Sequence, residues 1–274
     1  MKWSGRRQSD NVIDERASTS GTKRAGIGIG SLVVVGLALY ALGGDPQTII
    51  SILSGQLQQQ PYAYTDGQTP QSTFDSDNTK GLVSATLADL EDTWSRIFAA
   101  QGAQYQVAPL VLYRGATETG CGFGQAATGP FYCPMDGKVY LDLSFMEDLE
   151  RLGGNGDFAL AYVIAHEVGH HVQTLINPSR MRNQKSQEES VATELQADCF
   201  AGVWAHYASQ QKDFLEDGDI EEGLKAAAAV GDDHIQRSAG QMVSPESFSH
   251  GSSAQRAQAF RLGYDGGKIE ACRF

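Results

Sequence analysis

The sequence has no surplus of basic charge, no closely spaced CxxC pair and no internal repeat. With 33 acidic against 21 basic side chains, its formal net charge is −12. A nucleic-acid backbone needs a basic face to neutralise it, so DNA and RNA are excluded as partners. The four cysteines, at positions 121, 133, 199 and 272, lack the spacing of a zinc knuckle. Wholesale disorder is excluded as well, because 41% hydrophobic and 20% charged residues are the proportions of a folded protein. A chain of 274 residues holds one substantial domain with length left for a tail or linker.

Charge is unevenly distributed. Lys2, Arg6, Arg7, Arg16, Lys23 and Arg24 face only Asp10, Asp14 and Glu15 before residue 25. The next 18 residues, Ala25 to Leu42, carry no charge. As a helix they would extend roughly 27 Å, close to the hydrocarbon thickness of a bilayer. The basic flank predicts an N-terminus in the cytoplasm and everything after residue 44 outside it. A cleaved signal peptide ending near Ala41-Leu42-Gly43 is the rival, but 24 residues ahead of the apolar run is long for one. Either way the domain is exported, and the expected location is the bacterial inner membrane with the domain in the periplasm.

The cysteines fit an oxidising compartment. Cys121 and Cys133 bracket the Gly-rich segment CGFGQAATGPFYC, which reads as a disulfide-closed hairpin, leaving Cys199 and Cys272 as a long-range pair. Four cysteines permit three connectivities, and spacing alone does not choose among them.

The composition divides the chain into a basic segment (1–24), a transmembrane helix (25–43), a flexible polar linker (44–80) and a domain (81–274). Within the domain, helical periodicity runs from Val83 to Gln101, with Leu87, Leu90, Trp94, Ile97 and Phe98 on one stripe. VAPLVLYRG and KVYLDLSF read as strands. Helices follow over 157–176, stopped by Asn177-Pro178, then over 187–212, 219–239 and 254–263. The fold class is α+β, mostly helical with a small sheet.

The helix over 157–176 contains His166-Glu167-Val168-Gly169-His170. At about 100° per residue the two histidines project within roughly 40° of each other, so two imidazoles can meet one zinc ion. Glu167 stands beside that face, placed to take a proton from water. His171 lies about 140° round from His166 and faces elsewhere. HVQTLIN follows His170, so the HExxHxxGxxH arrangement is absent. The best candidate for the third ligand is Glu194 in TELQAD on the next helix. Asp198, one turn on the same face, is positioned to accept the free ring N–H of a ligating histidine, and Ala197 and Ala201 allow the two helices to approach; the alternative is that both are solvated acids of a helix that also carries Glu188 and Glu189. His250 is the first candidate to meet a developing oxyanion, with His234, Arg237, Arg256 and Tyr207 as competitors.

MKWSGRRQSDNVIDER, CGFGQAATGPFYCP, VYLDLSF, VIAHEVGHHVQ, ELQADCFAGVWA, GDDHIQ and HGSSAQRAQAF together resemble the bacterial neutral zinc metallopeptidase family over nearly the whole chain. The resemblance implies a single-pass anchored zincin-like protein with one zinc ion. It also implies His166, His170 and Glu194 as ligands, Glu167 as base, Asp198 in support, and a Cys121–Cys133 disulfide. His234 departs from the arginine expected after the two aspartates, which argues against an essential role for it. The expected function is peptide hydrolysis, with KVYLDLSF as the sheet edge that receives an extended substrate. A metal-stabilised envelope scaffold with a vestigial or masked site is the alternative, and hydrolysis of a cell-wall amide is a third reading.

Overall fold

In a computed structural model, residues 1–16, 77–125, 129–178, 186–211 and 214–274 are described, and they belong to one compact unit. The apolar run 25–42 and most of the expected linker lie outside the described residues. Among the described residues no helix is long and apolar enough to cross a membrane.

A four-stranded sheet has the order β1 (Val12–Asp14), β2 (Leu110–Tyr113), β6 (Lys138–Asp142), β5 (Phe131–Cys133). The first two pairings are parallel and β5–β6 is antiparallel. Strands β3 (Ala116–Thr119) and β4 (Gly122–Gln125) form a separate hairpin. Among the described residues the α-helices are α1 (Asp77–Ala100), α2 (Ser144–Arg151), α3 (Asp157–Ile176), α4 (Gln187–Ser209), α5 (Asp219–Ala229), α6 (Asp232–Ser238) and α7 (Ser253–Gly266). Leu110, Leu112, Val139 and Leu141 turn one sheet face onto the main helical core. Val111, Tyr113 and Tyr140 join Cys133 in a second small core on the other face.

Several sequence expectations are corrected. The KVYLDLSF strand is interior, bonded to β2 on one side and β5 on the other, and residues 139–142 are buried on both faces; the edges are β1 and β5. Its last residues leave the sheet because the Asp142 carboxylate accepts from the Ser144 amide (2.8 Å) and hydroxyl (2.7 Å), which starts α2. The Cys121–Cys133 and Cys199–Cys272 disulfides both exist. The first does not close a hairpin, however: it ties the β3–β4 turn to β5, whose ladder partner is β6. The expected 219–239 helix breaks at Gly231, where an added Cβ would lie 2.3 Å from the Ser253 amide nitrogen. Helix α1 begins at residue 77, inside the stretch read as linker. The segment set apart as 1–24 contributes residues 1–16 to the domain, through β1 and the packing around it.

Helix α3 is the spine of the molecule. Residues 158–169 are all buried, as a run of Ala, Leu, Val, Ile and aromatic side chains without an exposed stripe requires. Its first turn leaves Gly156 at φ 107°, and Glu222 of α5 accepts from the Phe158 amide at 3.2 Å. A Cβ at Gly156 would overlap that carboxylate. Small residues set the other crossings. A Cβ at Gly169 would stand 2.9 Å from the Ala197 carbonyl of α4. Gly202 of α4 and Gly263 of α7 admit each other's backbones so closely that any Cβ would collide. The approach expected at Ala197 is therefore realised, with Gly169 as the partner position.

Candidate metal centre

These crossings bring three helices to one point. His166 and His170 project from α3, Glu194 and Asp198 from α4, and Arg256 from α7. The ligating atoms of His166, His170 and Glu194 lie within 4.8 Å of one another. His166 Nε2 is 3.2 Å from Glu194 Oε2, and His170 Nε2 is 3.5 Å from Glu194 Oε1. A tetrahedral zinc site with bonds of about 2.0 Å separates its ligand atoms by about 3.3 Å. The spacing fits.

The partners of the other ring nitrogens strengthen that fit. His166 Nδ1 is 2.7 Å from Asp198 Oδ1, and His170 Nδ1 is 3.0 Å from Gln173 Oε1. Both partners are acceptors, so each Nδ1 carries a hydrogen and donates it. In neutral rings the two Nε2 lone pairs then face a carboxylate. Such an arrangement needs a positive centre between them, either a proton or a metal cation. The local proton affinities say the same. Burial opposes charge on His166, yet the Asp198 and Glu194 carboxylates push its pKa up to about 10. Burial likewise opposes the upward shift of His170, which Glu194 drives. Glu194 is held well below its usual value against burial by the two histidines.

Asp198 is wholly buried and fully partnered. Arg256 approaches it through Nε to Oδ2 (2.8 Å) and Nη2 to Oδ1 (3.0 Å), while the Tyr162 hydroxyl donates to Oδ1. Arg256 Nη1 also donates to the Val230 carbonyl at 3.0 Å. Gln173 is fixed in turn, donating from Nε2 to the Thr193 carbonyl at 2.7 Å. The sequence reading missed Tyr162 and Gln173. Tyr162 lies four residues before His166 and Gln173 three after His170, which is the spacing of neighbours on one helix face and could have found them.

A cleft of about 630 Å³ opens over the cluster, lined by His166, Glu167, His170 and Glu194 on its floor and by Phe131, Tyr132 and Phe145 among its apolar walls. His250 reaches the cleft, with Nδ1 3.0 Å from Asp232 Oδ1. Asp232 holds that loop by accepting the amides of Ser249, His250 and Gly251 at 2.7–2.9 Å. Of the competitors, Arg256 lines the cleft but is turned into Asp198. His234 is bonded to the Leu152 carbonyl, Arg237 pairs with Asp233, and Tyr207 packs beside His206 and Arg96. His171 faces away as expected: its Nε2–H donates to the Gln106 carbonyl, and Nδ1 accepts from the Tyr132 hydroxyl at 3.1 Å. That bond ties edge strand β5 to the metal-site helix.

The sequence matches the family model described as "Putative neutral zinc metallopeptidase" over residues 1–274. The chain belongs to this family. Its relatives include the protein YpfJ of Escherichia coli K12, 46% identical, with the match covering 99% of this chain and 98% of YpfJ. The proteins Rv2575 of Mycobacterium tuberculosis H37Rv and Mb2605 of Mycobacterium bovis are each 38% identical over 84% of this chain and 83% of their own length. All three are described as uncharacterized. No solved structure matches. The family description implies zinc, and the His166–His170–Glu194 cluster is where these residues would hold it.

Proposed function

We propose that the chain is a zinc-dependent endopeptidase that acts outside the cytoplasm on extended polypeptide. The observation that carries this reading is Glu167 in one cleft with His166, His170 and Glu194, beside edge strand β5. Bound there, zinc supplies Lewis acidity, acidifying water and polarising a carbonyl. Among the described residues β5 has no ladder partner on its outer side, so it can offer backbone groups to a substrate strand, and Phe131, Tyr132 and Phe145 give its side chains apolar surface. Glu167 takes the proton of the attacking water as the new C–O bond forms. It returns that proton to the amine nitrogen as the C–N bond breaks. His250, held by Asp232 and lining the same cleft, is the candidate to meet the developing oxyanion. Two disulfides suit an oxidising compartment.

The test is zinc content and cleavage of an unfolded protein by the full chain and by Glu167→Gln. The expected result is about one zinc per chain in both, with activity in the variant down by roughly 10²–10⁴-fold, the range for a lost general base. Intact cleavage in Glu167→Gln rejects the mechanism. Zinc binding without turnover in either protein points instead to a metal-stabilised scaffold.

A further inference from the structure

The arm formed by residues 1–16 is built into the domain from end to end. Met1 is buried, and the Lys2 amide donates to the Phe214 carbonyl at 2.9 Å. The Trp3 ring fills the space over Gly81, where an added Cβ would meet it at 2.7 Å. Arg6 lies over the Phe214 ring, 4.2 Å from its centroid. Arg7 pairs with Glu91 and Asp92 at 3.2 and 3.0 Å. The Ser9 hydroxyl and Asn11 side-chain amide donate to the same Glu91 at 2.6 and 2.8 Å, so three arm residues satisfy one buried carboxylate. Val12, Ile13 and Asp14 then pair in parallel with Leu110, Val111 and Leu112. At the end of the strand Asp14 meets Lys80 at 3.3 Å, and just past it Glu15 accepts from Thr117 at 3.0 Å.

This packing cannot coexist with a bilayer between arm and domain. Strand pairing holds two backbones about 4.8 Å apart, whereas the hydrocarbon layer is about 30 Å thick. The basic residues that would hold the arm in the cytoplasm include Arg7, whose charge is here matched by domain carboxylates. Only eight residues, 17–24, separate the arm from the apolar run. Fully extended they reach about 28 Å, too short to cross a membrane and return.

We infer that the arm and the domain lie in the same compartment, so the apolar run 25–42 does not act as a single crossing between them. Any membrane crossings between residues 16 and 77 are then even in number, because both ends of that stretch belong to the same domain. It departs at β1, the edge of the sheet opposite the cleft-lining edge β5.

Gln8→Cys and Gln241→Cys, each alone in the full chain, test this, since both positions are exposed on the arm and the domain respectively. Spheroplasts expressing each variant are treated with a membrane-impermeant maleimide before and after lysis, and the intact mass of the purified protein is measured. The expected result is that both cysteines label before lysis and that residues 1–16 are present in the mature mass. Labelling of both only after lysis also supports the shared compartment, while rejecting the extracytoplasmic location proposed above. Labelling of one before lysis and the other only after it overturns the inference. So does a mature protein that lacks the arm.

Discussion

The two histidines of the cluster sit one helical turn apart and are supported in opposite ways. His166 leans on an ionised group: Asp198, buried, clamped by Arg256 and capped by Tyr162. His170 leans on a neutral amide, Gln173, which is fixed by the Thr193 carbonyl. Both arrangements turn Nε2 toward Glu194, where a cation would sit, so they do the same geometric task. They differ in what they cost and in what they lend. A charge-assisted bond is roughly twice as strong as a neutral one and makes the imidazole a better donor to metal. It also obliges the fold to bury a countercharge, and α7 exists at this point to deliver one. The neutral side needs only one residue on the same helix and a carbonyl on the next.

Replacing Arg256 with Met should show the largest effect, because it strands the Asp198 charge in the core. We expect a loss of about 3–5 kcal/mol in denaturant unfolding, the usual result of removing one partner of a buried pair. A loss below about 1 kcal/mol would mean that Asp198 is neutral or solvated, and the contrast between the two sides would collapse.

Asp198→Asn should weaken zinc binding by about 10–100-fold, read by competition with a chelating dye. The same variant tests the ionisation itself. Burial opposes the charge on Asp198, but Arg256 and His166 hold its pKa down to about 2. Its contribution is therefore fully present above the ordinary carboxylate value of about 3.9 and is lost as pH falls through about 2. In zinc-stripped protein, acid unfolding followed by circular dichroism should show this steep limb in the native chain and a shallower one in Asp198→Asn.

The smallest effect belongs to the neutral side. Gln173→Leu should cost about 1 kcal/mol of stability and less than about tenfold in zinc affinity. If it weakens zinc as much as Asp198→Asn, the charged support of His166 confers no advantage and the asymmetry has no functional meaning.

Much of the site was legible in the sequence because it rests on local helical geometry. The spacing of His166 and His170 fixes a shared face whatever the tertiary setting. Glu194 and Asp198 were found because a zinc ion needs a third ligand and a histidine needs an orienting acceptor, and the next helix offers both one turn apart. Arg256 was placed only as a competitor for the oxyanion. Its pairing with Asp198, 58 residues away, depends on the Gly202–Gly263 crossing, which no local pattern announces. The edge strand was misassigned for a similar reason, since the position of a strand in a sheet is a property of the pairing and not of its own residues.

The sequence by itself determined the helix that carries the candidate metal cluster, the carboxylate beside it and the acid that joins it from the next helix, since periodicity and ligand chemistry act over one or two helical turns. Tertiary structure decided which acid is buried against which base, which strand borders the cleft, and that the basic N-terminal arm is part of the domain. The arm shows most clearly why. Charge asymmetry around an apolar run favours one side of a membrane, but a strand that has closed its hydrogen bonds with Leu110, Val111 and Leu112 must stay where they are.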